Sequence, residues 1–242
     1  MTGFSLPSAA VKPLTSVRHQ DIWRDFIVHC RFGHCSVRRE SASMDLMSQK
    51  QNRERQALIV IDVQEGFNDT AFWGNFSNPE CEDKIETLLT VWRAHDWPII
   101  VVRHDSESPE STLHPSQDGN RLMSFIADAA PSLFVTKQVN SAFYGDPALH
   151  EWLQAHDIEG LVICGIQTNM CVETTARMAG NLGYDVVVPL DATRTFDLTT
   201  TVPGLGTISR SADELMATTA LNLQAGGFAR IATTEEITAS LQ

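Results

Sequence analysis

At 242 residues, 43% hydrophobic and 20% charged, the chain has the size of one ordinary α/β domain plus an extension. A formal net charge of −12 speaks against nucleic acid as a partner. No apolar run reaches the roughly eighteen residues of a membrane span, and no secretory leader pattern opens the chain. Five cysteines at irregular spacing fit a reducing cytoplasm better than a disulfide framework.

Residues 1–56 carry nine Lys/Arg against five Asp/Glu and show no sustained helical or strand period. With Pro7, Pro13, Gly33 and scattered serines they are expected to form a flexible N-terminal extension. His29-Cys30 and His34-Cys35 are metal-ligand types, but their spacing matches no zinc pattern. Met44 and Met47 stand just before the regular region, and translation is expected to begin at one of them.

From Ala57 the pattern becomes regular, and residues 57–242, with a net charge of −16, are expected to form the domain. ALIVID (57–62) predicts a buried strand ending in an acid, and 82–94 a helix through Ile85, Leu88, Leu89 and Trp92. Strands follow at 98–104, 133–137, 161–164, 184–190 and 228–232, with helices at 121–129, 147–156, 171–182 and 211–226. Strands alternating with helices predict βαβ units: an α/β three-layer sandwich with a six-stranded, mostly parallel sheet. In such sheets ligands bind beyond the carboxyl ends of the strands. Asp62, His104, Lys137 and the turn from Gly165 to Cys171 stand there.

Three of these make joint chemical sense. Thr168 and Asn169 are N-cap types and Glu173 falls in a first turn, so Cys171 is placed at the start of a helix. There a thiol is expected to have a lowered pKa, and backbone N–H groups can meet an oxyanion. Asp62 can take the thiol proton. Lys137, the only lysine after Lys84, can hold the carboxylate and favour the thiolate. Each has a plainer reading as well: a core cysteine, a turn-capping Asp, an edge-strand Lys.

The pieces IDVQEGF (61–67), VVRHDSES (101–108), KQVNSAFYG (137–145), GIQTNMCVETTARMAGNLGYDV (165–186), DATRTFD (191–197) and GGFARIATTEEI (226–237), in this order, resemble the isochorismatase-like cysteine hydrolases. That superfamily includes nicotinamidases, N-carbamoylsarcosine amidases, ureidoacrylate amidases and isochorismatases. The resemblance implies Asp62 as base, Lys137 completing the triad and Cys171 as nucleophile. It also implies a cis peptide at Ile166–Gln167 and an oxyanion hole of the Gln167 and Cys171 N–H groups. Gln64, Phe67, His104, Phe143, Tyr144 and Thr168 would surround the substrate, and a homo-oligomer is expected.

Two departures narrow the expectation. The loop RHDSESPESTLH (103–114) holds His104, Asp105 and His114 out of the order in which nicotinamidases ligate a divalent ion, so neither metal nor other cofactor is expected. The cysteine that vinyl-ether-cleaving isochorismatases commonly lack is present. The expected function is therefore hydrolysis of an amide, carbamoyl or related C–N bond of a small molecule. The alternatives are vinyl-ether or ester hydrolysis, and a catalytically idle binding or assembly subunit.

Overall fold

The computed structural model describes residues 56–241. The predicted extension, with its His-Cys pairs, Met44 and Met47, lies outside them except for Gln56, which opens the first strand. A parallel sheet of seven strands runs in the order β3-β2-β1-β4-β5-β9, with the short β6 paired to β4. Its strands are β1 (Gln56–Ile61), β2 (Ile99–His104), β3 (Leu133–Lys137), β4 (Gly160–Ile166), β5 (Asp185–Pro189), β6 (Thr193–Arg194) and β9 (Arg230–Ala232). The six predicted strands are all present. The two-residue β6, which hydrogen-bonding to Gly165 and Ile166 makes a strand, is the seventh.

Period-two alternation explains the layering. Leu58, Val60, Val101 and Val162 face one core, with Ile85, Leu88, Leu89 and Trp92 of α1 (Cys81–Ala94) and Ile237 of α5 (Thr234–Leu241). Ile59, Ile61, Ile100 and Ile163 face the other. There they meet α2 (Leu149–Ala155), α3 (Glu173–Asn181) and α4 (Ala212–Ala225). Helix α4 opens on a capping box in which Ser211 and Glu214 each accept from the other's backbone N–H. The same reciprocal pair, Thr233 and Glu236, opens α5, an element that the apolar spacing alone does not reveal. Among the described residues no helix is long and apolar enough to cross a membrane.

Two expectations are corrected. The helix predicted at 121–129 spans only Ser124–Ala127, because Leu122 pairs as an isolated bridge with Gln64 and Met123 N–H bonds to Val63 O. The stretch 195–210, to which no element is assigned between the predicted strand at 184–190 and helix at 211–226, contains an antiparallel hairpin of β7 (Leu198–Val202) and β8 (Gly206–Arg210). Its β-branched TTTV run and the turn Pro203-Gly204 carried that signal.

The chain leaves β1 toward β2 and β3 on one side and returns as β4 on the other. The ends of β1 and β4 therefore form the switch point of the sheet, where such folds open a crevice. Gly165, at φ +121°, is what allows the two ends to close up: a Cβ there would sit 2.0 Å from Ile61 O. Asp62 follows β1 in the left-handed region at φ +54°, a conformation that Asp tolerates better than most residues.

Candidate active site

Asp62, Lys137 and Cys171 meet beyond these strand ends, 0%, 3% and 8% exposed. Lys137 ends β3, two strands from β1, and two strand spacings are about 9.6 Å. Only a long side chain covers that gap, and the lysine reaches across β2 to do so. Its Nζ donates to Asp62 Oδ2 at 2.6 Å and to Cys171 Sγ at 3.3 Å, and lies 3.1 Å from His104 Nδ1. All three ammonium protons are thereby used. Burial opposes the charge on Lys137, but Asp62 and Cys171 more than offset it, so its pKa is held above the ordinary lysine value.

A carboxylate oxygen, an imidazole nitrogen and a thiol sulfur from Asp62, His104 and Cys171 lie within 4.8 Å of one another, a donor set suited to a small cation. The Lys137 ammonium is the cation they hold. Of the other two residues weighed as metal ligands in the loop 103–114, Asp105 accepts from Arg103 at 2.8 and 2.9 Å and from Asn120 at 3.0 Å. His114 Nδ1 is 2.7 Å from Ser116 Oγ.

The turn after β4 differs from its predicted form. Ile166–Gln167 is cis, as the resemblance implied. Thr168–Val172, however, is a π-helical turn that runs into α3. Thr168 and Asn169 do not cap it: Thr168 Oγ1 donates to Thr193 Oγ1 at 2.9 Å, and Asn169 Oδ1 accepts from Thr195 Oγ1. These bonds tie the turn to β6 and to Thr195 just after it. Glu173 accepts twice from Arg177 and once from Thr219.

The thiol is also not what the sequence predicts. Burial, then the neighbouring Asp62 carboxylate, push the Cys171 pKa up to about 12, and the Lys137 ammonium offsets only part of this. Cys171 therefore rests as a thiol, not a thiolate. Asp62 Oδ1 is buried without a hydrogen-bond donor, so the carboxylate keeps an acceptor open beside the thiol.

Burial and the Lys137 charge lower the His104 pKa, so the ring is neutral near pH 7. Because Lys137 can only donate, Nδ1 is the acceptor and the ring proton sits on Nε2. Gln64, expected to touch substrate, is fully buried and clamps the His104 backbone: Oε1 accepts its N–H at 2.8 Å and Nε2 donates to its carbonyl at 3.0 Å.

A cavity of about 460 Å³ opens over Asp62 and Cys171. Asp62, His104, Gln167 and Cys171 line it below, Phe67, Phe72, Trp73 and Phe196 form an aromatic wall, and Asp197, Leu198 and Thr199 bring in the hairpin. Phe67 and His104 thus line it as expected. Thr168 does not: it is fully buried on Thr193. Phe143 instead stacks on Tyr184 at 6.0 Å. Tyr144, 72% exposed, lines a neighbouring groove with Thr136 and Asp146. The sequence reading missed Trp73, Phe196 and Asp197. The cluster AFWGNF (71–76) was the available signal for the first.

Residues 56–235 match the family model "Isochorismatase domain". The isochorismatase family protein YrdC of Bacillus subtilis is 39% identical over 145 residues, 60% of this chain and 76% of that protein. Nicotinamidase 3 of Arabidopsis thaliana is 28% identical over 203 residues, 78% of this chain and 90% of its own. The crystal structure of an isochorismatase-family protein from Chromobacterium violaceum superposes with a TM-score of 0.71 at 37% identity, covering 78% of this chain and 94% of the other. With its strand order, its switch-point cysteine and these matches, the chain belongs to the isochorismatase family of hydrolases.

Proposed function

We propose that the protein is a cysteine amidohydrolase acting on a small amide or related C–N bond. The observation that carries this reading is one buried ammonium in contact with both Asp62 and Cys171, which themselves line the base of an open cavity. The likeness to a nicotinamidase supports it. Because the thiol rests protonated, attack and proton loss are coupled: Cys171 Sγ bonds to the carbonyl carbon as its proton passes to Asp62. The oxyanion meets the N–H groups of Gln167 and Cys171. Collapse breaks the C–N bond, and Asp62 returns the proton to the departing amine. Water then adds to the thioester, giving its proton to Asp62; the C–S bond breaks, the acid leaves and the thiol is restored. Lys137 keeps Asp62 in place and lowers the cost of charge on sulfur.

The test is a panel of small amides and carbamoyl compounds read by ammonia release, with acid quenching and mass spectrometry of Cys171. Ammonia release, an acyl adduct on Cys171 and a loss of roughly a thousandfold in Cys171→Ala are expected. Pyruvate release from a vinyl ether without ammonia from any amide, or an active Cys171→Ala variant, would overturn the reading.

A further inference from the structure

Beyond the bond that is broken, the cavity carries information about the rest of the substrate. Its wall is a cluster of rings: Phe67 and Trp73 have centroids 4.9 Å apart, Phe67 and Phe196 5.8 Å, and Trp73 and Phe196 5.3 Å. Phe72 adds a half-exposed ring edge-on to Trp73. Among the described lining residues the charged ones are both acids, Asp62 and Asp197. Asp62 is engaged by Lys137, whose protons are used within the triad. Arg103 and Arg194 are paired with Asp105 and Glu82. No guanidinium or free ammonium among the described residues lines the cavity to receive a carboxylate.

Asp197 is held by two donors, Asn75 Nδ2 at 3.0 Å and the Ala212 N–H at 2.8 Å, and is exposed. These bonds hold its carboxyl below the usual carboxylate range. Each oxygen keeps a lone pair free. Aromatic faces with an ionised carboxylate at their edge attract ammonium and quaternary ammonium groups, through the ring quadrupole and by direct charge.

We propose that this wall is a cation subsite: the substrate is an amide whose distal end carries a positive charge, read by Trp73 and Phe72, which Phe196 backs, with Asp197 as counter-ion. The proposal rests on the amidohydrolase reading for which bond is cut, but its binding half stands apart from turnover. A substrate bearing a carboxylate in place of the cation would meet only like charge.

Two measurements test it on the intact protein. Calorimetric titration with benzyltrimethylammonium, benzyl alcohol and phenylacetate reads the subsite without chemistry. The ammonium is expected to bind about tenfold tighter than the alcohol, and phenylacetate more weakly than either. Asp197→Asn should bring the ammonium close to the alcohol. Phe72→Leu, at a half-exposed ring, should weaken the ammonium selectively even if the first variant folds poorly. Turnover of benzamides differing only in a para trimethylammonium, neutral or carboxylate group should rank in that order, chiefly through KM. Equal binding of the three probes, tighter binding of phenylacetate, or an ammonium preference unchanged in both variants overturns the subsite. Selective binding without hydrolysis of any benzamide would count against the amidohydrolase reading while leaving the subsite intact.

Discussion

Among the described residues, two ion pairs built on a buried cation differ in what they leave undone. Arg194 and Glu82 are joined through both terminal nitrogens and both oxygens, and Arg194 Nη2 also donates to the carbonyls of Asn78 and Pro79. Its guanidinium lies 4.5 Å from the Phe76 ring centroid, and only Nε lacks a partner. That pair staples β6 to the start of α1 and offers nothing to a ligand. Lys137 and Asp62 are tied by a single bond, so the ammonium also reaches a thiol and an imidazole, and Asp62 Oδ1 has no donor. A bidentate pair is saturated, whereas a point charge on a flexible stem can serve three acceptors and leave one oxygen free for a proton in transit.

The contrast is broken hardest at Lys137. Lys137→Met strands the buried Asp62 charge and should cost about 3–5 kcal/mol in stability. Turnover should also fall by roughly a thousandfold, measured at a temperature where the variant is folded. Arg194→Met should cost about 2–3 kcal/mol, less because Glu82 is a quarter exposed to water. Its kcat below the melting transition should stay within severalfold of the parent. If Arg194→Met removed turnover as thoroughly as Lys137→Met, the division between structural and reactive pair would be wrong.

Asp62→Asn separates the charge logic from the chemistry. Removing the carboxylate leaves Lys137 as the charged neighbour of Cys171, so iodoacetamide labelling at neutral pH should accelerate about tenfold while hydrolysis is lost. Labelling no faster than in the parent would show that Asp62 does not hold the thiol protonated.

The same thiol sets a pH limit on stability. In the unfolded chain it ionises from pH 9.0, but in the folded protein only near pH 12. The unfolded state therefore binds fewer protons across that window, and stability falls as pH rises. Cys164, which burial pushes well above the ordinary thiol value, adds to the same slope. Urea denaturation from pH 8 to 11 should show a declining midpoint, shallower in Cys171→Ala. A flat profile would contradict it.

The smallest effect belongs to Arg103–Asp105, bidentate but partly exposed at 31% and 17%. Arg103→Ala should cost about 1 kcal/mol or less, with melting curves as the check.

Much of this was legible in the sequence, and most of what was hidden depends on partners remote along the chain. Runs such as ALIVID and IIVVRH announce strands because β-branched residues buried on both faces leave a continuous apolar signature. Asp62, Lys137 and Cys171 stand out as polar or reactive residues where such runs stop. Burial depth is not written locally, so the thiol read as activated proves to be suppressed. Thr168 and Asn169 read as caps because capping is a local rule, but their partners, Thr193 and Thr195, lie more than twenty residues away. Gln64 was placed beside the substrate by the family resemblance alone, and its partners, His104 and Asn120, are remote in sequence. The hairpin was missed because its strands are largely exposed and carry no apolar alternation.

That hairpin is pinned at its root, where Asp197, just before β7, accepts the backbone N–H of Ala212, just after β8. Its strands bond to each other and to no strand of the main sheet. It is therefore a detachable cassette in the engineering sense: residues inserted around Pro203-Gly204 would lengthen its reach without shifting the register of any core strand. Exchanging everything between Asp197 and Ala212 would leave the scaffold that holds Cys171 intact. New substrate preferences on this scaffold would most economically be sought between those two anchors.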